Sequence, residues 1–485
     1  MRFALNSPMI MDIYRFVSFL LILLVHHNVQ ATLPLSARLE HACSAQQLNG
    51  ASIGIAMYSL QNGAKIADFN SSSNLHPASI QKLFVTGKAL DVLGGGFRYK
   101  TVVAVSGTIT DGVLSGDVVV FGSGDPTFGS RFFESTRPEK LLSDIRLALV
   151  QKGIATVIGN IIVVNCPFTD RPVPATWLWQ DVGNYYGAGS SGMTYMDNTY
   201  YIETKAPNQT GQLVEIAGTY PKLPNLHIDN YVQSSTNPGD NSYIFGGSFH
   251  DYREFRGTLP VGSEMKIKGS MPHPAFVFGT ELHNYLEHYS INCTGKILVV
   301  DSYNKKADTI TEILSPELRE IVKVTNKKSH NLFAEQLMLR LAPKGNQYEE
   351  QCNMYHAMLS EDVPGLKDAM QYDACGLSVF NLVTADDVAS FLLAMQKSLH
   401  YADFQSSLPV AGYDGTLKYW CLHNGLKGRV FAKTGSMTGV RSLAGYMLDP
   451  TGKLYAFCIL INNYTCSDAE VKQAIESILT ELYRK

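Results

Sequence analysis

The sequence predicts an α+β protein. One antiparallel sheet is assembled from both ends of the chain, flanked by helices and interrupted by a large β-rich insertion. Three observations predict this. Strand-like runs stand at 52–69 and again at 429–462. Helical periodicity clusters close to those runs. Between them, from about Phe97 to Asp301, short β runs alternate with Gly, Pro and Asn. Composition agrees: hydrophobic residues make up 45% and charged residues 17%, with 40 Gly and 25 Tyr, which suits strands and turns and excludes a disordered chain. The net charge of −3, from 40 basic and 43 acidic residues, excludes a general nucleic-acid binder, which needs a basic face. The length of 485 residues suggests about three domains at ~150 residues each.

Taken in order, the chain starts with Arg2 and Arg15 ahead of an apolar run, Phe16 to Val25. The run is shorter than the ~20 residues a membrane span needs and has the length of a signal-peptide core. Val29-Gln30-Ala31 offers a cleavage site, so residues 1–31 are expected to be removed on export, with at most peripheral membrane contact afterwards. Ser52 to Leu60 and Lys65 to Phe69 then read as a hairpin around Asn62-Gly63. An apolar helix pattern follows Pro77-Ala78. In the middle, Gly116 to Phe121 and Thr156 to Val164 are examples of the β runs. Helical signals return over Pro316 to Val324, Asn331 to Leu341 and Thr384 to Ser398. Three strands close the chain, Arg429 to Lys433, Ser442 to Leu448 and Leu454 to Asn462, and Ser467 with Glu470 forms a capping box for a last helix to Tyr483. Eight cysteines are scattered with no C-x-x-C spacing, which argues against a zinc ribbon or thioredoxin-like site. Cys458, in an apolar run, reads as a buried thiol. The 13 His show no metal-ligand spacing, and no metal or other cofactor is expected.

Three short motifs carry chemistry. Ser79-Ile80-Gln81-Lys82 places a hydroxyl and an amine one helical turn apart, where a Lys of lowered pKa can deprotonate a Ser nucleophile. Ser329-His330-Asn331 stands at a helix start, and Lys433-Thr434-Gly435-Ser436 at a strand end, where a cation and two hydroxyls suit a carboxylate. Each has a bland reading as a cap or turn. Their order and context together are those of the active-site serine penicillin-recognising enzymes. A rival motif, the G-x-G-x-x-G of Gly187 to Gly192, lacks the preceding strand and following helix of a dinucleotide site.

About half the chain separates Ser79 from Ser329. With His76-Pro77-Ala78-Ser79, Gly122-Ser123-Gly124-Asp125-Pro126-Thr127, Tyr186-Gly187-Ala188-Gly189, Asp373-Ala374-Cys375-Gly376-Leu377-Ser378 and Leu408 to Thr416, the chain resembles the D-alanyl-D-alanine carboxypeptidase/endopeptidases, the class C low-molecular-mass penicillin-binding proteins of DacB type. The resemblance implies a penicillin-binding/β-lactamase-like domain with a five-stranded sheet (32–96 and 312–485), split by two nested β-rich insertions (97–165 with 266–311, and 166–265). It implies hydrolysis of peptidoglycan stem peptides ending in D-Ala-D-Ala through a serine ester, inhibition by β-lactams, and a periplasmic location. Ser79 and Lys82 keep the nucleophile and base roles that their chemistry suggests. The resemblance adds Ser329 as proton relay, Asn331 as receptor for a substrate amide, and Lys433, Thr434, Gly435 and Ser436 at the terminal carboxylate. It also places the Ser79 and Ser436 N–H groups at the oxyanion. Asp170 is carried over as a partner of the peptide side chain. Two positions depart from the family: His330, where Asp is common, and Val379, where some relatives have Arg. The alternatives are a serine β-lactamase-like hydrolase and a non-catalytic cell-wall scaffold.

Overall fold

The computed structural model describes residues 33–165, 168–223, 225–248, 250–343 and 347–485. The signal segment expected at 1–31 lies outside the described residues. A five-stranded sheet has the order Val430–Met437, Val440–Leu448, Leu454–Asn462, Ser52–Ser59, Lys65–Phe69, with every neighbouring pair antiparallel. The two chain ends therefore close one sheet, as the strand pattern predicts. Leu454–Asn462 is buried nearly throughout because both faces are covered. Ala456, Cys458 and Leu460 face one core, and Phe457, Ile459 and Ile461 the other, following the two-residue period of a strand.

The first core holds the helices Lys82–Leu93, Asn331–Leu341 and Ala385–Met395; the second holds Asp468–Tyr483 and Leu35–Cys43. The closing helix begins at the predicted box: Ser467 accepts from the Glu470 N–H, and Glu470 accepts from Ser467. Its Ile475, Ile478, Leu479 and Leu482 are fully buried, each contributing roughly 1.5–3 kcal/mol of burial.

The insertion is β-rich as expected, but it also carries helices, which the sequence pattern placed only toward the two ends of the chain. A seven-stranded mixed sheet, built on the Lys100–Thr110 and Val113–Phe121 hairpin, is packed by two long helices, Pro138–Gln151 and Pro274–His288. Both start with Pro at N1, and the first buries Leu141, Leu142, Ile145, Ala148 and Leu149 at helical spacing. The run Thr156 to Val164 divides into Thr156–Val157 and Ile161–Val164. Two further sheets lie deeper in the insertion. One joins Thr199–Lys205, Glu215–Tyr220 and Glu264–Ser270; the other joins His227–Asn230, Gln233–Ser235, Asn241–Phe245 and Tyr252–Pro260. The seven described cysteines form no disulfide, and six are buried.

Candidate active site

Ser79 lies in a 3-10 turn, Ala78–Gln81, that runs directly into the Lys82–Leu93 helix. The approach to that turn is pinned from the sheet. Asn462 Oδ1 accepts from the His76 N–H at 2.7 Å, and Ser442 Oγ donates to the Pro77 carbonyl at 2.6 Å. Strand Val430–Met437 passes so close that a Cβ on Gly435 would stand 2.1 Å from Ser442 Oγ and 3.0 Å from Ser79 N. Gly435 is thus required by packing against the nucleophile's own segment. The strand also runs through the whole Lys-Thr-Gly-Ser motif rather than ending at Lys433.

Lys82 is fully buried, with Nζ 2.9 Å from Ser79 Oγ and donating at 2.6 Å to the Cys375 carbonyl. Burial pulls its pKa below the ordinary value, opposed by the charges of Cys375, Asp373 and Glu335. Lys433 is equally buried, and burial, followed by repulsion from Lys82, pulls its pKa well down. Its Nζ donates to Ser329 Oγ at 2.8 Å and to the Thr434 carbonyl at 2.6 Å. Ser329 holds a left-handed conformation (φ 57°) where the Leu318–Lys328 helix ends, and this turns its hydroxyl toward Lys433. Two hydroxyls therefore each have a buried amine of lowered pKa beside them. Thr434 Oγ1 bonds Thr416 Oγ1 at 2.8 Å.

Ser79, Ser329, Asn331 and Ser436 line one cavity of about 720 Å³. Its other wall comes from the insertion: Arg131, Asp181, Tyr185, Tyr186 and Lys268. Asn331 Nδ2 donates to the Tyr186 carbonyl at 2.8 Å, so the insertion orients the amide. His330 is half-buried, packed against Phe333 and Phe132 with ring centroids at 4.1 and 5.4 Å. Burial, with Arg131, Lys82 and Lys268 nearby, pushes its pKa down to about 3, so the imidazole is neutral.

The family model described as D-Ala-D-Ala carboxypeptidase 3 (S13) matches residues 35–485. The chain belongs to the D-Ala-D-Ala carboxypeptidase 3 (S13) family. It is a serine-type D-Ala-D-Ala carboxypeptidase/endopeptidase that acts on peptidoglycan. It is 25% identical to the D-alanyl-D-alanine carboxypeptidase DacB of Haemophilus influenzae, over 94% of this chain and 96% of that protein. It is 27% identical to the D-alanyl-D-alanine carboxypeptidase of an Actinomadura species, over 86% and 79% respectively. The crystal structure of penicillin binding protein 4 from Haemophilus influenzae shares its fold, with a TM-score of 0.79 over 92% of this chain and 99% of that chain at 23% identity.

One expected site residue of this S13 peptidase is not in the cleft. Asp170 lines a separate cavity in the insertion, pairs with Arg171 at 3.1 Å, and accepts from the Tyr348 N–H at 2.8 Å, so it caps a helix. The acidic group in the cleft is Asp181, a buried side chain whose pKa is raised by burial, opposed by the hydrogen bond that Tyr186 Oη donates to it at 3.2 Å. Asp181 stands eleven residues further along than Asp170, in the short Trp179–Val182 helix. Val379 also lines the cleft and presents an apolar surface, while Arg131 and Lys268 supply cations from the opposite wall. Glu335, Asp373 and Cys375 gather their ligand-type atoms within 4.8 Å, as a metal site would. The carboxylate oxygens, however, already accept from N–H and O–H donors, and burial pushes the thiol pKa well up. That donor set fits a hydrogen-bonded network rather than an ion.

Proposed function

We propose that Ser79 is the nucleophile and Lys82 its base in hydrolysis of a stem peptide ending in D-Ala-D-Ala. The observation that carries this reading is the 2.9 Å approach of Ser79 Oγ to a buried Lys82 whose pKa is lowered. Lowering the pKa favours the neutral amine, whose lone pair accepts the hydroxyl proton as Oγ attacks the penultimate carbonyl carbon. Breaking the peptide bond then needs a proton on the leaving D-Ala nitrogen. Ser329, hydrogen-bonded to Lys433, is placed to relay it. Ser79 N and the adjacent strand at Ser436 are the donors for the oxyanion. Lys433, Thr434 and Ser436 receive the terminal carboxylate, Gly435 admits the close approach of strand and helix, and the Asn331 amide holds the peptide. Water releases the acid and restores Ser79.

A β-lactam presents a strained amide to the same hydroxyl and forms the same ester. Cross-linked peptides are substrates of the same chemistry, and Asp181 on the insertion wall suits a cationic side chain. The intact Ser79, Lys82, Ser329, Asn331 and Lys433 set disfavours a non-catalytic scaffold. The apolar run before Ala31 supports export to the periplasm. The domain division drawn from the resemblance is kept with two boundaries moved, because those after 265 and 311 cut the strands Glu264–Ser270 and Asp308–Leu314, whose pairing keeps the first whole in the nested part and the second whole in the insertion. Labelling with fluorescent penicillin, followed by mass spectrometry of the adduct, tests the assignment. A persistent adduct on Ser79 supports it. Rapid turnover of the penicillin points to a β-lactamase, and labelling elsewhere or not at all refutes the nucleophile.

A further inference from the structure

Behind Lys82 lies a buried polar network that the mechanism does not use. Asp373 and Glu335 are 0% and 1% exposed. Asp373 Oδ1 accepts from the Gly376 N–H at 2.8 Å and from Asn381 Nδ2 at 2.7 Å. Its Oδ2 accepts from Leu377 N at 3.0 Å, Ser378 N at 2.6 Å and Trp177 Nε1 at 2.8 Å. Glu335 Oε1 accepts from the N–H groups of Ala374 and Cys375 at 2.9 and 2.8 Å, and Oε2 from Tyr348 Oη at 2.5 Å. The two carboxylates thus hold five successive backbone N–H groups, 374–378. What that loop offers the active site is one atom: the Cys375 carbonyl oxygen, 2.6 Å from Lys82 Nζ. The fit is tight, since a Cβ on Gly376 would stand 1.9 Å from the Ala78 carbonyl, next to the nucleophile.

We propose that Glu335 and Asp373 are positioning residues for acylation. They fix the 373–378 loop so that the Cys375 carbonyl holds one proton of Lys82 and aims the amine's lone pair at Ser79. Their charge also sets the pH at which that lone pair is free. The proposal rests on Lys82 acting as base. A neutral amine has one lone pair and two N–H bonds, so an acceptor fixed behind it orients the lone pair forward. Near a transition state, displacement of such a group by about 1 Å costs on the order of a hundredfold in rate. The charged and titratable groups facing Lys82 are Lys433 from its strand, Glu335 and His330 at the Asn331–Leu341 helix, and Asp373 and Cys375 from the loop. Burial, followed by repulsion from Asp373, raises the Glu335 pKa to about 7, so its negative charge favours the ammonium form of Lys82 above that pH, and removing it extends the neutral form to lower pH.

The test is the rate of Ser79 acylation by fluorescent penicillin between pH 5 and 10 in otherwise full-length protein. Glu335→Gln keeps an oxygen for both N–H groups and an amide for Tyr348. It should leave the plateau rate within about threefold and move the acid limb to lower pH. Glu335→Ala removes the acceptor and should lower the plateau by about tenfold or more. An unmoved acid limb in Glu335→Gln overturns the proposal, as does an equal plateau loss in both variants. If Glu335→Ala does not fold, the acid limb of Glu335→Gln decides alone. Lys82→Ala separates the two readings. Acylation that survives Lys82→Ala defeats the base assignment. Acylation lost there but unmoved in the Glu335 variants defeats the positioning role only.

Discussion

Lys82 and Lys433 show why burial, usually a cost for an amine, is useful here. Each is fully buried with its pKa drawn down, and each meets a serine hydroxyl within 2.9 Å. The arrangement has an energetic signature. The unfolded chain takes up these protons as the pH falls through 10.5, whereas the folded protein takes them up only at lower pH. In that window the unfolded state binds more protons, so this contribution to stability is greatest above pH 10.5 and declines on acidification toward the folded values. Lys433→Met should therefore gain on the wild type as the pH falls from 10 to 7, read as the difference in melting temperature, while losing peptidase activity. A difference that does not grow would mean that Lys433 is not held neutral. At the same scale, Ser79→Ala should abolish penicillin labelling with an unchanged melting temperature. His330, already neutral with a pKa of about 3, should add no limb near pH 6.5 to the rate profile, and His330→Asn should leave its shape unmoved.

Among the elements, the most legible were those whose signals are local. The Ser467 box fixes the start of the last helix, and Ser467→Ala should cost about 1 kcal/mol, seen as a lower urea midpoint at unchanged slope. Gly376→Ala tests a contact of a different kind. Gly376 has φ +81°, and an added Cβ meets the Ala78 carbonyl, so the loop must shift. A loss on the order of 2–3 kcal/mol is expected, with labelling slowed beyond what partial unfolding explains. Measuring both on the same sample distinguishes the two effects. The first substitution was readable from four adjacent residues. The second was not, because Gly376 and Ala78 meet only after the chain has folded. The same distinction explains Asp170. The resemblance placed Asp170 at the peptide side chain, but the short Trp179–Val182 helix presents Asp181 in the cleft. The helix Pro138–Gln151 was missed for another reason. Its apolar spacing was present, but it stands among strong β runs, and its partner helix Pro274–His288 lies far along the chain.

At the scale of the molecule, the insertion leaves and re-enters through one pair of strands, with Lys100 opposite Leu314, so a short turn could join the cut ends. Geometry alone would then allow the sheet and its three motifs to stand without residues 100–314. The contacts argue otherwise. Trp177 and Val182 belong to the same core as Leu83, Phe333 and Leu337. The buried Gln336 donates to the Gly124 and Ser191 carbonyls at 3.2 and 2.8 Å. Asn331 loses the Tyr186 carbonyl, Tyr348 N loses Asp170, and Asp373 loses Trp177. Excision would therefore expose apolar surface over the Asn331–Leu341 helix and leave buried donors unpaired, each at about 1–3 kcal/mol. A variant with 100–314 replaced by a short Gly-rich turn is expected to melt well below the intact protein and to react with penicillin at least about tenfold more slowly. Trp177→Phe should show a smaller loss of the same kind, since it keeps an aromatic ring in the core while removing the bond to Asp373 and part of the indole's volume. If the excised variant acylated at the intact rate, the insertion would be a wall for substrate and nothing more. If Trp177→Phe alone slowed acylation while the melting temperature held, the insertion would act through the loop that carries the Cys375 carbonyl.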